Sequence, residues 1–169
     1  QTLCAHQRGA GVTLFALPLN AGLALSTIIS LPLSVLLIWQ TPSLMAWVTD
    51  SPKIATEGGL YLQARLLGMI ALGANFAFRS YWSAVERTGI YMLALIVMHL
   101  ANITLNWLLI FGHLGFPKLG VEGAGLGTAI SMWIGTILYI MFALKHALPF
   151  GFLRGLPNRR VWRELLTMS

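Results

Sequence analysis

The sequence predicts an all-α integral membrane protein with four transmembrane helices, on three observations. Only 9% of the residues are charged while 57% are hydrophobic, whereas a water-soluble domain keeps roughly a quarter of its residues charged. Mean hydropathy is +0.75. The apolar residues are gathered into four runs separated by short Gly-, Pro- and charge-bearing stretches, each run long enough to cross a hydrocarbon layer of ~30 Å.

The first run, Val12 to Trp39, contains no charged residue. As a helix it reaches about 42 Å, so it must tilt, bend or project. Pro18 and Pro32 each remove a helix hydrogen bond and mark bend points. After a loop marked by Thr41-Pro42 and Ser51-Pro52, the second run covers Ile54 to Phe78, and the third Ile90 to Phe111. The connection GHLGFPKLGVEG, with Gly112, Gly115, Pro117 and Gly120, reads as a turn. The fourth run covers Gly123 to Leu144, and from Pro149 onward the chain becomes basic. The membrane domain is thus placed at 12–148 and a cytoplasmic connector at 149–169.

A net charge of +6 raises the question of a nucleic-acid partner. The charges lie between apolar runs rather than along one face, and no RNA- or DNA-binding module is present. Membrane topology accounts for them instead. With four spans, Arg8, Arg79, Arg87, Lys145, Arg154, Arg159, Arg160 and Arg163 fall on one side, and only Lys53 and Lys118 on the other. Positive residues collect in the cytoplasm, so both ends are expected there, in a multi-pass protein of the inner (plasma) membrane. The partner this composition calls for is the lipid bilayer.

Cys4 is a lone thiol and forms neither an internal disulfide nor a zinc cluster. Gln1 opens the chain in place of Met, with no charged leader before the first run. The expectation is that the chain begins inside a longer protein.

In the fourth span Gly123, Gly127, Ser131 and Gly135 recur every four residues, a small-residue ridge that lets another helix backbone approach closely. Polar side chains inside spans are costly and mark candidate sites. Asn102 and Asn106 lie four apart on one face of the third span, with His99 three residues before Asn102. Two roles fit this stripe: a hydrogen-bond clamp between helices worth ~1 kcal/mol, or a site where amide oxygens bind a cation or organise water. Arg65 is the one charge well within a span; it suits a structural or gating role near the outer side, with Glu57 two turns earlier as a partner. Gln63 and Asn75 suit hydrogen bonds between helices. Thr128 falls one turn into the fourth span, where threonine bonds back to its own helix.

No HExxH, Walker loop, GxSxG or paired carboxylates occur. An enzyme built on His99 would lack a neighbouring carboxylate or second histidine, so no enzymatic activity, catalytic residue, metal site or cofactor is expected. Asp50, Glu57, Glu86, Glu122 and Glu164 all fall in loops or at span ends. Ion-driven transport usually needs an intramembrane carboxylate, so if the chain is transport machinery, an essential part lies outside it.

Four segments together resemble the MATE (multidrug and toxic compound extrusion) family of secondary transporters. QTLCAHQRGAG at 1–11 looks like the cytoplasmic end of that family's second helix, and FRSYWSAVERT at 78–88 like the turn between its fourth and fifth. MHLANITLNWLLIFG at 98–112 is similar to the fifth helix, and FPKLGVEGAGLGTAIS at 116–131 to the loop and start of the sixth. The resemblance covers essentially the whole chain. It implies that the four spans are the third to sixth of twelve helices, with 149–169 leading to a second lobe. It also implies that Asn102, Asn106 and Thr128 help form a cation site completed by a first-helix aspartate, driving efflux of amphipathic or cationic compounds with H+ or Na+. His6, Ser80, Glu86 and Glu122 depart from the family pattern and affect subfamily rather than family. Two alternatives compete: a lipid-linked oligosaccharide flippase of related fold, and a self-standing four-helix membrane protein that dimerises through its glycine ridge.

Overall fold

The structure, a computed structural model, describes residues 16–153. The segment at 1–11, Cys4, His6 and Arg8, and the basic residues Arg154, Arg159, Arg160 and Arg163, lie outside the described residues. Within them the chain is helical: α1 (Leu17–Val48), α2 (Pro52–Leu66), α3 (Met69–Ala84), α4 (Thr88–Phe111) and α5 (Val121–His146). Single 3-10 turns follow α4 at His113–Gly115 and α5 at Leu148–Phe150. α1, α4 and α5 are each long and apolar enough to span a membrane, and α2 with α3, bent by 42° at the break between them, makes a fourth candidate span when the pair is taken as one.

α1 starts with Pro18 in its first turn, where a missing N–H costs nothing. Its far end differs from the sequence reading, because Thr41-Pro42 does not end the helix. Proline at 42 deprives the Ile38 carbonyl of its usual donor, and Gln63 Nε2 from α2 donates to that carbonyl at 3.5 Å. Away from water a freed carbonyl needs such a partner, and a neighbouring helix supplies it. Thr41 Oγ1 reinforces the same turn by donating to Leu37 O at 2.8 Å.

The second span also departs from the expected straight run. It breaks at Leu67–Gly68 with no proline present. There Gly68 N donates to Arg65 O at 3.0 Å, a tightened turn, and the ladder resumes at Leu72 N to Gly68 O, 2.9 Å. A Cβ on Gly68 would lie 2.9 Å from Ala129 Cα of α5, so only glycine fits. A hairpin turn then leads into α4, with Glu86 in left-handed backbone (φ 59).

α5 is the central helix, packing on α4, α2 and α3, while α1 lies along α2 and α3. The buried side chains gather at one end of the bundle: Leu19, Phe78, Tyr81, Trp82, Tyr139 and Phe152 form one apolar core. Phe78 stacks on Tyr139 at 5.5 Å between ring centroids and meets Phe152 at 6.1 Å. The chain leaving α5 folds back onto the start of α1. Phe150 O accepts from Ala16 N at 3.0 Å, Asn20 Nδ2 donates to Gly151 O at 2.9 Å, and Leu153 N donates to Asn20 Oδ1 at 3.3 Å. The opposite end is sparsely buried, and α1 there turns Val35, Trp39 and Trp47 outward, Trp47 with 93% of its surface open. Such a surface is stable against hydrocarbon rather than water.

Candidate functional site

The polar residues of α4 and α5 meet halfway along the bundle. Asn102 Nδ2 lies 3.3 Å from Thr128 Oγ1 and 3.4 Å from Ser131 Oγ, and it donates to both. Asn106 Nδ2 donates to Asn102 Oδ1 at 3.3 Å. The two α5 hydroxyls spend their own protons on their helix: Thr128 Oγ1 donates to Ala124 O and Ser131 Oγ to Thr128 O, each at 2.8 Å. Their lone pairs therefore accept from Asn102. Asn106 Oδ1 is buried and has no hydrogen-bond partner, a condition that costs about 1–3 kcal/mol for a neutral acceptor. The cluster is a set of converging oxygens held by amide N–H groups. It carries no ionised side chain of its own.

This convergence depends on the small residues of α5. A Cβ on Gly127 would overlap Asn106 Oδ1, so the amide fits only because that position is glycine. Gly123 brings α5 against the α4 backbone, where a Cβ would sit 2.6 Å from Leu109 O. Ser131 follows on the same face as a hydroxyl partner, and Gly135 meets Met98 Sδ. Gly125, which the four-residue spacing misses, turns to α2, where a Cβ would lie 2.7 Å from Tyr61 O. Any four-residue spacing selects one helix face, so the second packing face of α5 escaped it.

A second polar contact ties α5 to α3. Asn75 Nδ2 donates to Met132 O at 3.1 Å, and Thr136 Oγ1 donates to Asn75 Oδ1 at 2.9 Å. Trp133 Nε1 donates to Leu67 O at 3.1 Å. Sequence reasoning passed over Thr136 and Trp133, since nothing in their own spacing points across to α3. Between α3, α4 and α5 a cleft of about 230 Å³ is lined by Asn75, Phe76, Arg79, Tyr91, His99 and Tyr139, among others. The Arg79 guanidinium stands 5.0 Å from the Tyr91 ring centroid, a cation–π distance. His99 faces this cleft and is exposed, one turn from Asn102. Arg65 is exposed on the last turn of α2, and no ion pair joins it to the exposed Glu57. Among the described residues no group of three His, Cys, Asp or Glu could hold a metal ion.

Residues 1–108 match the family described as MatE. A probable multidrug resistance protein NorM of Mesorhizobium japonicum is 31% identical over 143 residues, 85% of this chain and 30% of that protein. The multidrug resistance protein NorM of Vibrio cholerae is 29% identical, over 73% of this chain and 27% of its own length. A probable NorM of a Synechococcus species is 33% identical, over 96% of this chain and 34% of its own. The chain spans about a third of the length of the curated relatives it matches.

Proposed function

The chain belongs to the MatE family, and from that premise we propose that it forms part of a secondary active exporter of amphipathic or cationic compounds. Relatives named as multidrug resistance proteins support that reading. In it, the chain supplies the third to sixth helices of a larger transporter, whose other helices are its closest partners. Bilayer and small-molecule substrate complete the set. The driving gradient is H+ or Na+, with both ends of the chain in the cytoplasm.

The observation that carries the proposal is the Asn102–Asn106–Thr128 cluster with its buried, unpartnered Asn106 Oδ1. Amide and hydroxyl oxygens are the ligands a hard monovalent cation or a protonated group accepts. Burial away from water makes each of them count for more. A carboxylate reaching this face from another helix would complete the charge balance. Ion binding then competes with the Asn102 bonds to Thr128 and Ser131, so occupancy alters how α4 and α5 hold together.

The test is Asn106→Leu in the full-length protein. Leucine keeps bulk and adds hydrophobicity, so membrane insertion persists, while gradient-driven efflux is lost. Efflux at the wild-type rate would overturn the site assignment.

A further inference from the structure

We propose that the four-span unit carries a built-in hinge plane crossing Pro32, the Leu67–Gly68 break and Ala129, with Trp133 as the clip that holds it. The proposal rests on the reading of Asn102, Asn106 and Thr128 as the ion site, because its trigger lies there.

Three features fall at one level of the bundle. The antiparallel register of α1 against α2–α3 is set by close pairs: Gly22 with Ala77, Ser26 with Gly73, and Thr41 with Gly59. Between the last two pairs, that register brings Pro32 opposite the Leu67–Gly68 break. Pro32 lacks an N–H, so α1 is missing a ladder bond where its neighbour is broken. On the other side of the break, Gly68 sits against the backbone of Ala129. Ala129 follows Thr128, whose hydroxyl faces Asn102 across the opposite side of α5. Two weakened backbones and the ion cluster are therefore stacked through one helix turn of α5.

The break is held by a specific bond. Interrupting a helix frees a carbonyl, and inside a bilayer it must find a donor from a neighbouring element. At Leu67 that donor is the Trp133 indole, at 3.1 Å. Trp133 is 40% exposed, so its ring can shift without repacking a core. The two sides of the plane also differ in stiffness. The Phe78–Tyr139–Phe152 aromatic core lies wholly on one side, and the other is held mainly by glycine contacts and the Gln63 bond to Ile38 O. Ion binding that loosens Asn102 from Thr128 and Ser131 releases α5 at the level where it clips the break, and α2 with the distal half of α1 swings as a unit.

The motion has a readable size. α2 has 15 residues, so at 1.5 Å per residue its far end is ~22 Å from the break, and a change of about 10° moves it about 4 Å. Spin labels at Ile54→Cys and Arg87→Cys, both exposed, bracket the break in the reconstituted full-length transporter freed of other cysteines. Pulsed dipolar distances are compared with and without the coupling ion, H+ and Na+ in separate arms. Most of that displacement is lateral to the line joining the labels, so the expected result is an ion-dependent shift of about 2 Å in their distance, with Trp133→Phe broadening the distribution in both conditions. An unmoved distance in a protein whose efflux still follows the ion gradient would overturn the hinge. A Trp133→Phe distribution identical to wild type would overturn the clip. Loss of the ion site is read separately: unchanged efflux in Asn106→Leu refutes that site even where the distance still moves.

Discussion

Replacing Gly123 by alanine sets a methyl carbon 2.6 Å from the Leu109 carbonyl oxygen and 2.7 Å from the carbonyl carbon, both in the backbone of α4. Ordinary contact begins near 3.4 Å, so α4 and α5 must part by most of an ångström beside their shared polar cluster. Overpacking of this kind costs about 1–3 kcal/mol. Alanine in place of glycine returns about 1 kcal/mol through helix propensity, leaving a net loss of about 0–2 kcal/mol. Gly135→Ala is the control, because its methyl meets Met98 Sδ at 3.1 Å, the far end of a side chain that can rotate away. The propensity gain is common to both variants, so their difference isolates the contact: about 1–3 kcal/mol in favour of Gly135→Ala. Denaturant unfolding of the full-length protein in mixed micelles measures it. If Gly123→Ala proves as stable as Gly135→Ala, backbone contact at Gly123 does not hold α4 to α5.

Two further substitutions separate site from scaffold. Gly127→Ala forces the Asn106 amide aside and breaks its bond to Asn102; losing about 1 kcal/mol of hydrogen bonding lowers coupling-ion affinity roughly five- to tenfold. Ion-dependent substrate release measures the change, and the unfolding midpoint should fall less than in Gly123→Ala. Asn20→Ala leaves the Gly151 carbonyl and the Leu153 N–H without their side-chain partner, at about 1–3 kcal/mol. Faster limited proteolysis around residues 151–153 is the expected sign, with cleavage at the wild-type rate counting against that role for Asn20.

The membrane class of the protein was legible because composition and long apolar runs act locally, residue by residue. The pairing of Asn102 with Asn106 was legible for the same reason, since a four-residue interval is intrinsic to a helix. What lay across the bundle was not. Thr128 and Ser131 stand 26 and 29 positions from Asn102; no periodicity within α4 selects either, and only the family resemblance joins Thr128 to the stripe. Proline also misled as a marker of helix ends. Pro42 lies inside α1, and Gln63 Nε2 reaches the carbonyl it frees at 3.5 Å. The break came instead at Gly68, where close approach to Ala129 and a tryptophan donor from α5 settle the geometry. In both places a tertiary hydrogen bond takes up the carbonyl that the interruption frees, and such bonds leave no local pattern.

The fold-back of residues 150–153 onto Asn20 bears on how the protein is made. Its partners are separated by 131 and 133 positions, so the start of α1 enters the bilayer long before the residues that satisfy it are synthesised. Until residues 150–153 have been made, the bonds they exchange with Ala16 and Asn20, and the Phe152 contact with Phe78, are absent. Closure of this contact therefore cannot precede synthesis of Phe152, so the two ends of the four-helix unit are joined only once α5 is complete.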